Sequence, residues 1–164
     1  EIYHHCKTIY NNVGMVIQSY LHRSIDDILL LADDQFNSRI CKGIYKESEC
    51  IAYQDREEIQ GNFLKLAKNM VTRNAYSAFA THDQELIDRL LDWIITDKVP
   101  KDLFEFQVLY GVPMNGRLEA LLGAGYKVRV YVPYGPDWFD YSVRRLKENP
   151  KIISYVLKNF FRKR

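Results

Sequence analysis

The sequence contains no GxGxxG after a strand-like run and no GxxxxGK[ST] loop, which excludes the common glycine-based signatures for dinucleotide and nucleotide phosphates. It has three cysteines, Cys6, Cys41 and Cys50. They make no CxxC pair, no even disulfide framework and no metal-ligand spacing with the four histidines, so a reducing compartment is expected and no metal is. No apolar run approaches the roughly 18 residues of a membrane span, and no basic-then-apolar signal opens the chain. A formal charge of +2 over 164 residues gives no strong field, so affinity for an anion must come from a local cluster and no nucleic-acid partner is expected. The chain opens at Glu1 with "EIYHHCKTIYNN", which reads as a helix entered partway and leads us to expect a fragment.

What is present is a core-forming composition, 47% hydrophobic and 27% charged, suited to one globular domain. Five strand-length segments rich in β-branched and aromatic residues stand out: 13–21, 38–45, 76–81, 104–111 and 127–134. Helical patterns alternate with them from Ser24, Arg56, Asp83 and Pro113, and a last one follows Pro136. Ser24 with Asp27 three residues on, Asp83, Pro113 and Pro136 serve as start signals. Strict alternation implies parallel strands with right-handed crossovers, hence an α/β fold, either an open doubly wound sheet or part of a barrel. Five units are three short of a (β/α)8 barrel. The two terminal strands, 13–21 and 127–134, would then be left as uncovered edges.

Polar and aromatic residues gather at the C-terminal ends of these strands: Gln18 and Tyr20, Lys42 and Tyr45, Thr81 and His82, Gln107 and Tyr110, Tyr131 and Tyr134. In a barrel that is where function collects. Arg39 inside a strand needs a carboxylate or an anion, and Gly43 suggests the close approach of a ligand or another backbone. Thr81 and His82 precede a helix N-terminus, where they could hold a phosphate or polar ring edge, or Thr81 or Asp83 could simply cap the helix. Gln18 in an apolar strand implies a buried hydrogen bond. Tyr141, Arg144, Arg145 and Glu148 fall on one side of a helix, as a small-carboxylate clamp or as a solvated face with an ordinary Arg–Glu pair. The ending "KNFFRKR" is basic, but its apolar positions from Ile152 to Phe161 follow helical spacing and suit a packed terminal helix.

Taken in order, "VIQSYLHRS", "RICKGIYKE", "AFATHD", "FEFQVLYGV" and "VRVYVPYGPDWFDYSVRRLKENP" resemble the C-terminal half of the proline dehydrogenase family, FAD-dependent enzymes with a modified (β/α)8 barrel. The resemblance covers nearly the whole chain and implies that the segments are the last five barrel strands. It assigns Gln18, Arg39, Lys42, Gly43, Ile44, Thr81 and His82 to the flavin, with Arg39 near the reactive edge of the ring. It assigns Arg144 and Arg145 to the proline carboxylate, Glu148 to bracing them, Tyr131 and Tyr141 to the proline ring, and Leu109 to an apolar contact. The implied reaction oxidises L-proline to 1-pyrroline-5-carboxylate and passes electrons to a quinone. That implies a cytoplasmic setting, with peripheral contact at the inner face of a membrane left open, or the matrix side in a mitochondrion.

Two departures from the family pattern stand out. Ile44 occupies a position where the family usually has alanine, which opens the alternative of a related barrel acting on hydroxyproline. The first three strands, with an acidic residue and a lysine of the active site, are not in this sequence, so the isolated chain is expected to lack a competent site. A non-catalytic half-barrel that pairs with another chain is the other alternative.

Overall fold

A computed structural model describes residues 1–33, 35–136 and 143. Helix α1 (Ile2–Ile9) leads into four βα units and a fifth strand: β1 (Met15–Gln18), α2 (Ser24–Leu31), β2 (Asn37–Cys41), α3 (Arg56–Thr72), β3 (Tyr76–Ala80), α4 (Gln84–Thr96), β4 (Phe104–Leu109), α5 (Arg117–Gly123) and β5 (Val128–Tyr131). All neighbouring strands are parallel and lie in the order β1-β2-β3-β4-β5. A doubly wound sheet reverses its strand order at a switch point, whereas a strictly sequential order with right-handed crossovers keeps every helix on one face. The molecule is therefore an incomplete (β/α)8 barrel, with β1 and β5 at the edges.

The register runs continuously across the sheet. Val16, Arg39, Ala78 and Glu105 form one row, and Gln18, Cys41, Ala80, Gln107 and Arg129 the next row on the same face. Between them lies a row for the other face: Ile17, Ile40, Phe79, Phe106 and Val128. This second face meets the helices. Phe63, Leu66, Ala67 and Met70 of α3, spaced as one helical stripe, join Leu86, Ile87, Leu90, Trp93 and Ile94 of α4 in a single core. At its centre Phe79 stacks on Phe104 at 5.5 Å between ring centroids and meets Phe106 at 5.7 Å and Trp93 at 6.4 Å.

Caps explain where the two long helices begin. Asp55 accepts hydrogen bonds from the backbone N–H groups of Glu57 (2.8 Å) and Glu58 (3.1 Å), and Asp83 accepts from that of Leu86 at 3.5 Å. Two expected start signals do not operate. The Ser24 hydroxyl donates to the Gln18 carbonyl at 2.6 Å, tying α2 to the end of β1, while Asp27 pairs with Arg23. α2 also stops at Leu31, short of Phe36, where Asp33 accepts from the Gln35 N–H in a tight turn. Pro113 does not open α5, because Asn115 (φ 50°) and Gly116 (φ 80°) both take left-handed conformations, which interrupt any right-handed helix from Pro113 and leave Gly116 as the residue that caps a helix starting at Arg117. The helix expected after Pro136 lies outside the described residues, as does the terminal stripe from Ile152 to Phe161.

Candidate active site

Because strand side chains alternate, the face opposite the aromatic core is lined by a different set of residues. On the central strand this face carries Ala78 and Ala80, side chains that stop at Cβ. Arg39 rises on one flank and Gln107 on the other, and a cleft of about 850 Å³ opens above Ala80. Its walls include Ile44, His82, Leu109, Tyr131 and Tyr134. The shape is a flat, small-residue floor with one strand-borne arginine beside it.

The floor is polar at its lower end. Glu105, only 5% exposed, receives Arg129 through two hydrogen bonds of 2.7 and 3.0 Å. It also accepts from the Gln107 side-chain amide at 2.7 Å, and the Gln107 carbonyl accepts from Arg39 Nε at 3.0 Å. Burial alone would raise the Glu105 carboxyl, but the bonds from Arg129 and Gln107 outweigh it and hold the group below its ordinary value. Burial and then the neighbouring Glu105 push the Tyr76 phenol up to about 12.

At the upper end, His82 Nε2 accepts from the backbone N–H of Leu109 at 2.9 Å. That bond makes Nδ1 the proton-bearing nitrogen of a neutral ring. Burial lowers the His82 pKa, with smaller contributions from Arg39 and Lys42, and so favours the same neutral state. Beside it, Asp83 gathers Lys42 Nζ (2.9 Å), Gln60 Nε2 (2.9 Å) and Arg56 (3.1 Å). Burial opposes its charge, yet these donors hold its carboxyl well below the usual range.

Of the residues singled out in the sequence, Arg39, Ile44, His82, Gln107, Leu109, Tyr131 and Tyr134 line the cleft. Gln18, Lys42, Gly43 and Thr81 lie outside its lining. Gln18 sits on the cleft face of the edge strand β1, two strands from β3. Lys42 follows the end of β2 and turns to Asp83. Gly43, at φ 105°, is pressed by the ring of Tyr20, so any Cβ there would collide with that ring. The close approach that its position implied comes from this side chain. Thr81 Oγ1 accepts from the Asp83 N–H at 3.1 Å, so Thr81 and Asp83 together serve the start of α4. Tyr141, Arg144, Arg145 and Glu148 lie outside the described residues.

Four contributors went unmarked in the sequence: Ala78, Ala80, Glu105 and Arg129. Alternation carried the signal. In "FEFQ" the two phenylalanines must share one face and Glu105 with Gln107 the other, and in "YSAFA" Phe79 is flanked by the two alanines of the opposite face.

A family model described as proline dehydrogenase matches residues 2–157. Proline dehydrogenase 1 of Bacillus subtilis (strain 168) is 40% identical over 163 residues, 99% of this chain and 54% of that protein. Proline dehydrogenase of Deinococcus radiodurans is 38% identical over 151 residues, 92% of this chain and 48% of that one. Among solved structures, proline utilization A from Bdellovibrio bacteriovorus inactivated by N-propargylglycine superposes with a TM-score of 0.72 at 28% identity, over 85% of this chain and 17% of that one. The chain spans about half the length of the curated relatives it matches.

Proposed function

Since the chain belongs to the proline dehydrogenase family, we propose that it supplies the flavin and proline sites of an FAD-dependent enzyme that oxidises L-proline to 1-pyrroline-5-carboxylate. The observation that carries this reading is Arg39 standing beside the small residue Ala80, in one cleft with Leu109 and Tyr131. A planar ring suits such a floor, since any longer side chain at Ala80 would occupy the space above it. Bound there, the flavin supplies the hydride acceptor.

The chain's own residues then have separable tasks. Arg39 holds a permanent cation at the floor, where it favours negative charge gained on reduction. His82, neutral and fixed through Nε2, offers its Nδ1–H as a donor, and Ile44 lines the same cleft; Gln18, Lys42, Gly43 and Thr81, which the family resemblance also assigns to the flavin, stand outside this lining and would meet only parts of the cofactor beyond the cleft. Arg144 and Arg145 take the proline carboxylate, braced by Glu148, in a charge-assisted clamp worth about 1.5–3 kcal/mol per bond. Tyr131, Tyr141 and Leu109 enclose the proline ring and set it against the flavin face. Electrons leave to a quinone, which requires contact with a membrane surface; no helix among the described residues is long and apolar enough to cross one.

The test is anaerobic mixing of the full-length, flavin-loaded protein with L-proline, followed by flavin absorbance. Bleaching is expected, and an unchanged spectrum in a folded protein would overturn the reading. Ile44 lines the cleft and is 44% exposed, which favours a second reading in which substrate size is set there. Turnover of proline and 4-hydroxyproline by the wild type and Ile44→Ala addresses it: an altered ratio supports that role for Ile44, and an unaltered ratio removes it.

A further inference from the structure

Two guanidiniums, Arg39 and Arg129, stand on the floor from strands β2 and β5, and a single carboxylate, Glu105 of β4, serves both. Arg129 reaches it directly. Arg39 reaches it only by way of Gln107, through bonds of 3.0 and 2.7 Å. The chemistry of the end groups dictates how that relay is oriented. A guanidinium only donates and an ionised carboxylate only accepts, so the Gln107 carbonyl must face Arg39 and its NH₂ must face Glu105. A rotated amide would set donor against donor and acceptor against acceptor. Glu105 is itself anchored, since it is buried and held by the two bonds from Arg129. By contrast the Arg39 guanidinium ends a long side chain that could otherwise sample many rotamers.

We propose that Gln107 and Glu105 are positioning residues that hold the Arg39 guanidinium at one place on the cleft floor, and that they act on the flavin through Arg39. This rests on the flavin reading above. Hydride transfer is sensitive to misplacement at the scale of 1 Å, which can change a rate on the order of 100-fold. A relay that fixes a flexible cation is therefore a means of setting both the rate and the reduction potential.

The experiment uses the full-length, flavin-loaded enzyme and two readouts: the flavin reduction potential measured without proline, and the rate of flavin reduction by proline. Variants are Glu105→Gln, Gln107→Leu, Arg39→Met and the double variants with Arg39→Met. Glu105→Gln and Gln107→Leu should each displace the potential and slow reduction by about 10- to 100-fold, and neither should add to the effect of Arg39→Met. Should Glu105→Gln fail to fold, Gln107→Leu carries the same test without disturbing the Glu105–Arg129 pair. Potentials unchanged in flavin-loaded variants, or effects that add fully to Arg39→Met, overturn the proposal while leaving the flavin reading intact. A folded wild type that takes up no flavin overturns both.

Discussion

The two faces of the sheet are built from alternating residues of the same strands, and they differ in nearly every physical respect. On the helix side, Ile40, Phe79, Phe104 and Phe106 are all 1% exposed or less, and the three phenylalanines pack in direct ring contact. On the other side, the same stretches present Arg39, Ala78, Ala80, Glu105, Gln107 and Arg129. Burial of large apolar groups is what stabilises a small domain, and small or charged groups contribute little to that. The division teaches that one face carries the stability of the fold and the other is released for chemistry, with a change of role at every residue along β3 and β4.

Substitutions can break that division in order of their effect on stability. Phe79→Ala, at the centre of the ring cluster, should lower the unfolding free energy by about 3–5 kcal/mol, read by denaturant titration of the full-length protein. Asp83→Asn keeps the side-chain volume but weakens the bonds from Lys42, Gln60 and Arg56, and should cost about 2 kcal/mol by the same assay. Ala80→Leu, only one residue from Phe79, should stay within about 1 kcal/mol of wild type and yet abolish flavin retention on gel filtration. Arg23→Ala removes an exposed i, i+4 pair with Asp27 and should change the unfolding free energy least of the four, because solvent screens such a pair.

His82 sharpens the comparison through pH. Its folded pKa lies below the ordinary 6.5 because burial disfavours the cation. The unfolded chain therefore binds the proton first as pH falls. Its contribution to stability is complete above 6.5 and declines as pH drops through the lowered folded value. Asp83 and Glu105, with depressed values of their own, lose theirs only in a more acidic range. The slope of unfolding free energy just below pH 6.5 should flatten in His82→Gln; an unaltered slope there would contradict this.

Much of this was legible in the sequence, and the residues show why. The strand and helix units follow from patterns of period 2 and 3.6, so all five strands were found to within a few residues. Their parallel arrangement followed from alternation and handedness, whereas their sequential order, as part of a barrel, was implied only by the family resemblance. Side-chain partners across strands were not legible, because they depend on register. Nothing in "KGIY" reveals that Tyr20 fills the space over Gly43, or that Lys42 turns to Asp83. Ser24 and Pro113 have the composition of helix starts, but the Gln18 carbonyl takes the first and the left-handed pair Asn115 and Gly116 displaces the second. The alanine floor escaped notice because alanine signals nothing alone; it matters only as the face opposite Phe79.

The most direct test of the division between the faces is Arg39→Met in the full-length, flavin-loaded protein, with proline-driven flavin reduction and the denaturant midpoint measured on the same sample. The expected result is a reduction rate lower on the order of 100-fold with the midpoint unchanged. An unchanged rate, or a midpoint that falls as far as it does for Phe79→Ala, would contradict it.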